Sequence, residues 1–217
     1  ERVRGIGDLK RVLGLRRKDK QLVSSLERLL ERQSRFDDLV ELWREQLTRR
    51  KGGPARTLKL QIARTLASKL GRVGESIEVL EDLLDDPKAD TAPILEMLEN
   101  FSSDESLDAD PRRAALTILR ARYAEDGRPS QVIATLGTAL ALAGTDERIA
   151  LHRDAAERLV QGGDPGAAME HFGAMLALDA EDESALEGLR AAGMAAGQAR
   201  RIVDFLVEAA DQTEDTG

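Results

Sequence analysis

Apolar residues recur three and four positions apart along most of the chain, the spacing of one face of an α-helix. In the run from Gln21 to Leu30, Leu22, Leu26, Leu29 and Leu30 form a single stripe. Gln33-Ser34-Arg35 interrupts it, and the pattern resumes with Phe36, Leu39, Val40, Trp43 and Leu47. Two helices joined by so short a break must run antiparallel. Gly52-Gly53-Pro54 then ends the second helix and opens a third.

The same arrangement returns further on. Leu60, Ala63, Leu66 and Ala67 lead to Gly71 and are followed by Val73, Ile77, Leu80 and Leu84. Leu116, Leu119 and Tyr123 lead to Gly127, then Val132, Leu136 and Leu140. Leu151, Ala155 and Leu159 lead to Gly163, then Ala168, Phe172 and Leu176. Leu186 and Leu189 lead to Gly197, then Ile202, Leu206 and Ala209. Aligned on the turn, Ser34, Gly71, Gly127, Gly163 and Gly197 are separated by 37, 56, 36 and 34 residues. Recurring helix–turn–helix units of this length predict a stacked solenoid. The interval of 56 holds an unpaired extra helix, predicted near residues 91–101, with Thr91 as N-cap and Pro93 in the first turn. The acidic stretch 102–110 after it reads as a hinge. Ile6, Leu9, Val12 and Leu13 suggest the last helix of a preceding repeat, and 212–217 reads as a polar tail.

The residues of two units resemble the tetratricopeptide repeat (TPR). Leu116, Leu119, Tyr123, Gly127, Val132 and Leu136 fall at that family's spacings, as do Ala155, Leu159, Gly163, Ala168 and Phe172. The family period is roughly 34 residues. No first helix carries the signature Trp, Ala67 and Gly193 stand where two units should have Tyr, and His152 takes an apolar position. The resemblance implies an all-α, right-handed superhelix of stacked antiparallel helix pairs, a TPR-like solenoid of about 11–12 helices. It also implies a non-catalytic scaffold that binds a peptide or protein segment through its concave face. The outward positions of the first helices would line that groove: Gln21, Ser24, Arg28, Gln61, Thr65, Thr117, Ala121, Arg153 and Glu157. The Lys and Asn with which some relatives clamp a terminal carboxylate are absent there. The competing expectation is a structural spacer or oligomerisation arm with nothing in the groove.

Charge adds a polarity to this picture. The net charge is −8, yet residues 1–72 hold 20 basic against 9 acidic residues, and 73–217 hold 12 against 31. Opposite charge at the two ends permits head-to-tail self-association. The 217 residues, 41% of them hydrophobic but only 3% aromatic, suit one solenoid whose core is built from Leu, Ala, Val and Ile. The first residue is Glu rather than Met, which reads as a fragment of a longer protein.

Little chemistry presents itself. The absence of cysteine excludes disulfides, a thiol nucleophile and Cys-ligated metals, and fits a cytoplasmic chain. With His152 and His171 as the only histidines, His-based metal sites and triads are not expected. Carboxylate pairs such as Glu81-Asp82 read as solvated helix faces, and Asp104 to Asp110 lacks the glycine and terminal Glu of a calcium loop. No glycine-rich phosphate loop follows a strand, so no cofactor is expected. Arg16-Arg17-Lys18 and Arg49-Arg50-Lys51 could meet phosphate, but Phe36 and Trp43 are committed to packing and offer no base-stacking platform. Nucleic acid is therefore not the expected partner. No apolar run reaches the roughly 18 residues of a membrane span.

Overall fold

The computed structural model describes residues 20–214, with side chains over 21–210. The described residues form twelve helices and no strand. The stripe expected at Ile6 to Leu13 and the cluster Arg16-Arg17-Lys18 lie outside them. The chain divides into two units, residues 1–101 and 102–217.

In the first unit, α1 (Lys20–Arg32) and α2 (Phe36–Leu47) form one pair, and α3 (Gly53–Leu70) and α4 (Val73–Leu84) the next. Leu26 and Leu30 of α1, Leu39, Val40, Leu42 and Trp43 of α2, and Leu58, Ile62 and Leu66 of α3 share one core. Each such buried aliphatic side chain stabilises the unit by about 1.5–3 kcal/mol relative to exposure. Trp43 also satisfies its indole N–H, donating to Glu27 Oε1 at 2.9 Å. Ser76 is fully buried on α4, and its hydroxyl donates to the Ala63 carbonyl at 2.9 Å. Arg44 to Glu75 (2.9 Å) and Arg72 to Asp37 (2.6 Å) tie the second helix of one pair to that of the next.

The single helix α5 (Ala92–Ser103) follows, as its sequence predicts, and buries Ile94, Leu95 and Leu98. The Thr91 carbonyl accepts the first i→i+4 bond of this helix, from Leu95 N–H at 2.9 Å. The acidic connector is narrower than expected. Ser102 and Ser103 still belong to α5 and the next helix starts at Ala109, leaving 104–108. Asp104 organises that loop by accepting from the Ser106 amide and hydroxyl at 2.9 and 2.6 Å, bonds that hold its carboxyl below the usual carboxylate range.

In the second unit, α6 (Ala109–Glu125) is followed by α7 (Pro129–Ala134) and α8 (Leu136–Leu142), α9 (Thr145–Gln161) by α10 (Pro165–Leu178), and α11 (Glu183–Ala195) by α12 (Ala199–Glu214). The polar tail expected from 212 is thus helical to Glu214. The pattern from Val132 to Leu140 predicts one helix, but two short ones meet at Thr135. The cause is a side chain from α6. Arg120 donates to the Val132 carbonyl at 2.9 Å and to Thr135 Oγ1 at 3.1 Å, and Thr135 Oγ1 itself donates to the same carbonyl at 2.7 Å. A carbonyl so occupied is diverted from the i→i−4 ladder, and the helix breaks there.

Glycine packing sets the spacing of the last helices. The Phe172 ring lies where a Cβ on Gly188 would sit, 2.3 Å from Cε1, and Phe205 does the same at Gly173, 2.4 Å from Cδ1. Aromatic rings thus replace the side chains that these two positions lack. Phe172 joins Ala156, Ala168, Met169, Met175, Leu176, Ala185 and Leu189 in the unit's core.

The aligned turn residues share one geometry. Ser34, Gly71, Gly127, Gly163 and Gly197 all have left-handed φ, between 53° and 81°. The residue after each of the first four (Arg35, Arg72, Arg128 and Asp164) has φ between −88° and −114° and ψ between 63° and 71°. Its N–H reaches back five residues at Arg35, Arg128, Asp164 and Gln198, with N···O of 2.8–2.9 Å, while Arg72 reaches back six. This is a Schellman-type helix end, in which a left-handed residue frees the next amide to satisfy a terminal carbonyl. Ser34 is the one non-glycine residue with positive φ among the described residues.

Candidate functional face

Solvent-facing positions of the first helices, exposed except for the half-buried Ala124 and Arg153, repeat in register. In the second unit they fall ten, six and three residues before the turn. Thr117, Ala121 and Ala124 occupy them on α6; Arg153, Glu157 and Val160 on α9; and Glu187, Ala191 and Met194 on α11. Spacings of four and three put each trio on one side of its helix. Ion pairs connect these helices in series. Arg120 of α6 reaches Asp154 of α9 at 3.0 Å, and Arg153 of α9 reaches Asp182, the N-cap of α11, at 2.8 Å.

Asp182 has two other partners. It accepts from the Ser184 hydroxyl at 2.6 Å and from the Ala185 amide at 3.0 Å. The Ser184 bond, then the Ala185 amide and Arg153, hold its carboxyl below the usual carboxylate range. Burial lowers the Arg120 guanidinium pKa and Asp154 works against it, leaving a cation packed between three helices.

The sequence-predicted residues fall in both units. Gln21, Ser24 and Arg28 are exposed along α1, and Gln61 is exposed and Thr65 half-buried on α3. In the second unit Thr117 and Glu157 are exposed, and Thr117 turns its hydroxyl back to the Arg113 carbonyl at 2.9 Å. Arg153 is engaged with Asp182, so it holds neighbouring helices together.

Two further residues, outside the set expected from sequence, stand out on this face. Val160 is 48% exposed and Met194 is 70% exposed, at equivalent positions in consecutive repeats. An apolar residue three before the turn glycine in two successive units was the signal available. Beside them stand the exposed carboxylates Glu157 and Glu187. The second unit contains 22 acidic residues against 11 arginines and no lysine, and among the described residues six of those arginines are in ion pairs within the unit. Among the described residues no helix is long and apolar enough to cross a membrane.

No family model and no curated protein matches the chain. Solved structures similar to it include a Podosopora anserina protein of nearly identical TPR-like repeats, with 17% identity over 90% of this chain and 95% of that one, at a TM-score of 0.39. MamA is similar at 14% identity over 89% and 91% of the two chains, with a TM-score of 0.39. BtubC from P. vanneervenii is similar at 17% identity over 99% and 89%, with a TM-score of 0.38. At TM-scores below 0.5 these likenesses carry no weight of their own, and the repeat architecture rests on the chain's own turns and helix pairs.

Proposed function

We propose that this chain is a non-catalytic protein-interaction scaffold whose second unit holds a segment of another protein along the exposed face of α6, α9 and α11. The observation that carries this reading is the register-matched exposure of Val160 and Met194. A soluble domain loses free energy by presenting large apolar side chains to water, and aligned ones mark a contact surface. Glu157 and Glu187 give that surface an acidic border, so the matching segment carries apolar and basic side chains. In the first unit, Gln21, Ser24, Arg28, Gln61 and Thr65 form a candidate surface of their own.

The test is a peptide array varied independently in charge and apolar content, read against the intact chain. Basic–apolar peptides should bind in a salt-sensitive manner, and Val160→Asp with Met194→Asp should abolish binding. Preference for acidic peptides, or binding untouched by that pair of substitutions, refutes the reading. A second reading, an oligomerisation arm, is favoured by Val203 and Val207, exposed at 58% and 54% one turn apart on α12. It predicts concentration-dependent sedimentation that Val203→Asp with Val207→Asp removes.

A further inference from the structure

The chain contains two histidines, and the fold sets them face to face. His152 of α9 and His171 of α10 bring their Nδ1 atoms to 3.0 Å, with ring centroids 5.3 Å apart and ring planes at 40°. Both rings are half-buried. Two imidazole nitrogens at this distance can share only one hydrogen: one ring donates Nδ1–H and the other must present a bare Nδ1. A first added proton goes to Nε2 of the donor ring, which leaves the bond in place and makes it charge-assisted. A second must go to the bare Nδ1, where it opposes the donor N–H and places two cations in contact. The bond therefore survives one added proton and not two.

The surroundings do not relieve that conflict. Arg148, one turn before His152 on α9, adds positive charge. Glu170, next to His171 on α10, opposes it but is itself ion-paired with Arg201 from α12. Arg148 and Glu170 are the charged side chains that act on the rings, besides the rings on each other. Burial, the largest influence on both, holds the two imidazoles below the ordinary histidine range. Among the described residues no third His, Cys, Asp or Glu completes a metal site with them.

We propose that His152 and His171 form a proton-operated latch between α9 and α10, closed while the pair holds at most one extra proton and released by the second. Unfolded chain binds both protons near the ordinary histidine pKa of about 6.5. The folded unit binds fewer in that window, so its stability is full above about pH 6.5 and falls as pH drops below it. For each proton withheld, the folded-to-unfolded ratio falls by about tenfold per pH unit.

Because the chain has no other histidine, NMR of the intact protein follows both rings through a pH titration without interference. The expected result is two separated protonation steps, both below the ordinary value, with the Nδ1–Nδ1 bond lost at the second. In His171→Gln the His152 ring should titrate in a single step above that second one. Thermal melts between about pH 7.5 and 5.5 should fall for the natural chain and stay flat for His152→Leu with His171→Leu. Two coincident steps at the ordinary pKa, or His152 titrating identically with and without His171, overturns the latch. Those readouts come from the natural chain and a single substitution, so they stand even if the doubly substituted chain fails to fold.

Discussion

Gly188→Ala is a small change with a sharp expected consequence. The added Cβ would sit 2.3, 2.5 and 2.7 Å from Cε1, Cζ and Cδ1 of Phe172. Carbon atoms in contact prefer about 3.5–4.0 Å, so the ring must retreat by more than an ångström. It has little room, since Phe172 is only 8% exposed and packs into the core with Ala168, Met169 and Leu189. Overpacking of this kind costs about 1–3 kcal/mol. Against it stands the gain from replacing glycine in a helix, about 1 kcal/mol. Gly137 isolates that gain, because a Cβ there meets nothing within 4 Å. Gly137→Ala should therefore stabilise by about 0.5–1 kcal/mol, while Gly188→Ala destabilises, leaving a gap of about 1–3 kcal/mol that reflects the clash. Urea denaturation followed by far-UV circular dichroism, with hydrogen exchange to assign the loss to α10 and α11, measures both. A double-mutant cycle with Phe172→Leu should return a coupling above about 0.5 kcal/mol, since Leu leaves space beside the new methyl group. If Gly188→Ala is as stabilising as Gly137→Ala, or the coupling is zero, the helices are not held apart by this ring.

Ser34→Gly should stabilise the first unit by about 1 kcal/mol, because a left-handed serine costs about 1–2 kcal/mol and glycine returns part of that in chain entropy; fluorescence of Trp43, the chain's one tryptophan, reports it. Arg120→Ala should cost about 1–3 kcal/mol by removing the donor from the Val132 carbonyl and Asp154, and α7 and α8 should then exchange amide hydrogens faster. Asp182→Ala should cost about 1 kcal/mol as a lost N-cap. Because the Asp182 pKa is lowered on folding, its contribution is full above the unfolded value of 3.8 and fades as pH falls below it, so acid melts of the two chains should converge there. Limited proteolysis should cut first within residues 104–108, where every residue but Leu107 is exposed; first cleavage inside a helix refutes the hinge proposed for that stretch.

The helix pairs and their turns were legible because both are written locally. Leu26, Leu30, Leu119, Tyr123 and Phe172 lie at helical spacing and are buried, and each aligned turn residue proved left-handed. Features made by residues distant in sequence were not legible. The break at Thr135 is imposed by Arg120, fifteen residues earlier on another helix. His152 violated the apolar pattern, and only the fold shows that His171, nineteen residues on, is its partner. Gly193, read as a missing Tyr, has its space filled by Ile202 from α12, which a Cβ there would meet at 2.5 Å. On the candidate face, the repeat resemblance pointed to Thr117, Arg153 and Glu157, but nothing local revealed that Asp182 engages Arg153.

The common geometry of the turns bears on how the gene for such a chain can change length. A deletion of residues 128–163 would join Gly127 directly to Asp164. The incoming Asp164 has φ −114° and ψ 71°, within a few degrees of the −110° and 66° of the Arg128 it replaces. The new joint would thus leave the left-handed glycine as it found it, and no untried backbone conformation is asked of the chain. Recombination between these codons can remove or copy a whole hairpin in one event. The cost then falls on the mating of helix faces, where Arg120 loses Val132, Thr135 and Asp154, and Asp182 loses Arg153.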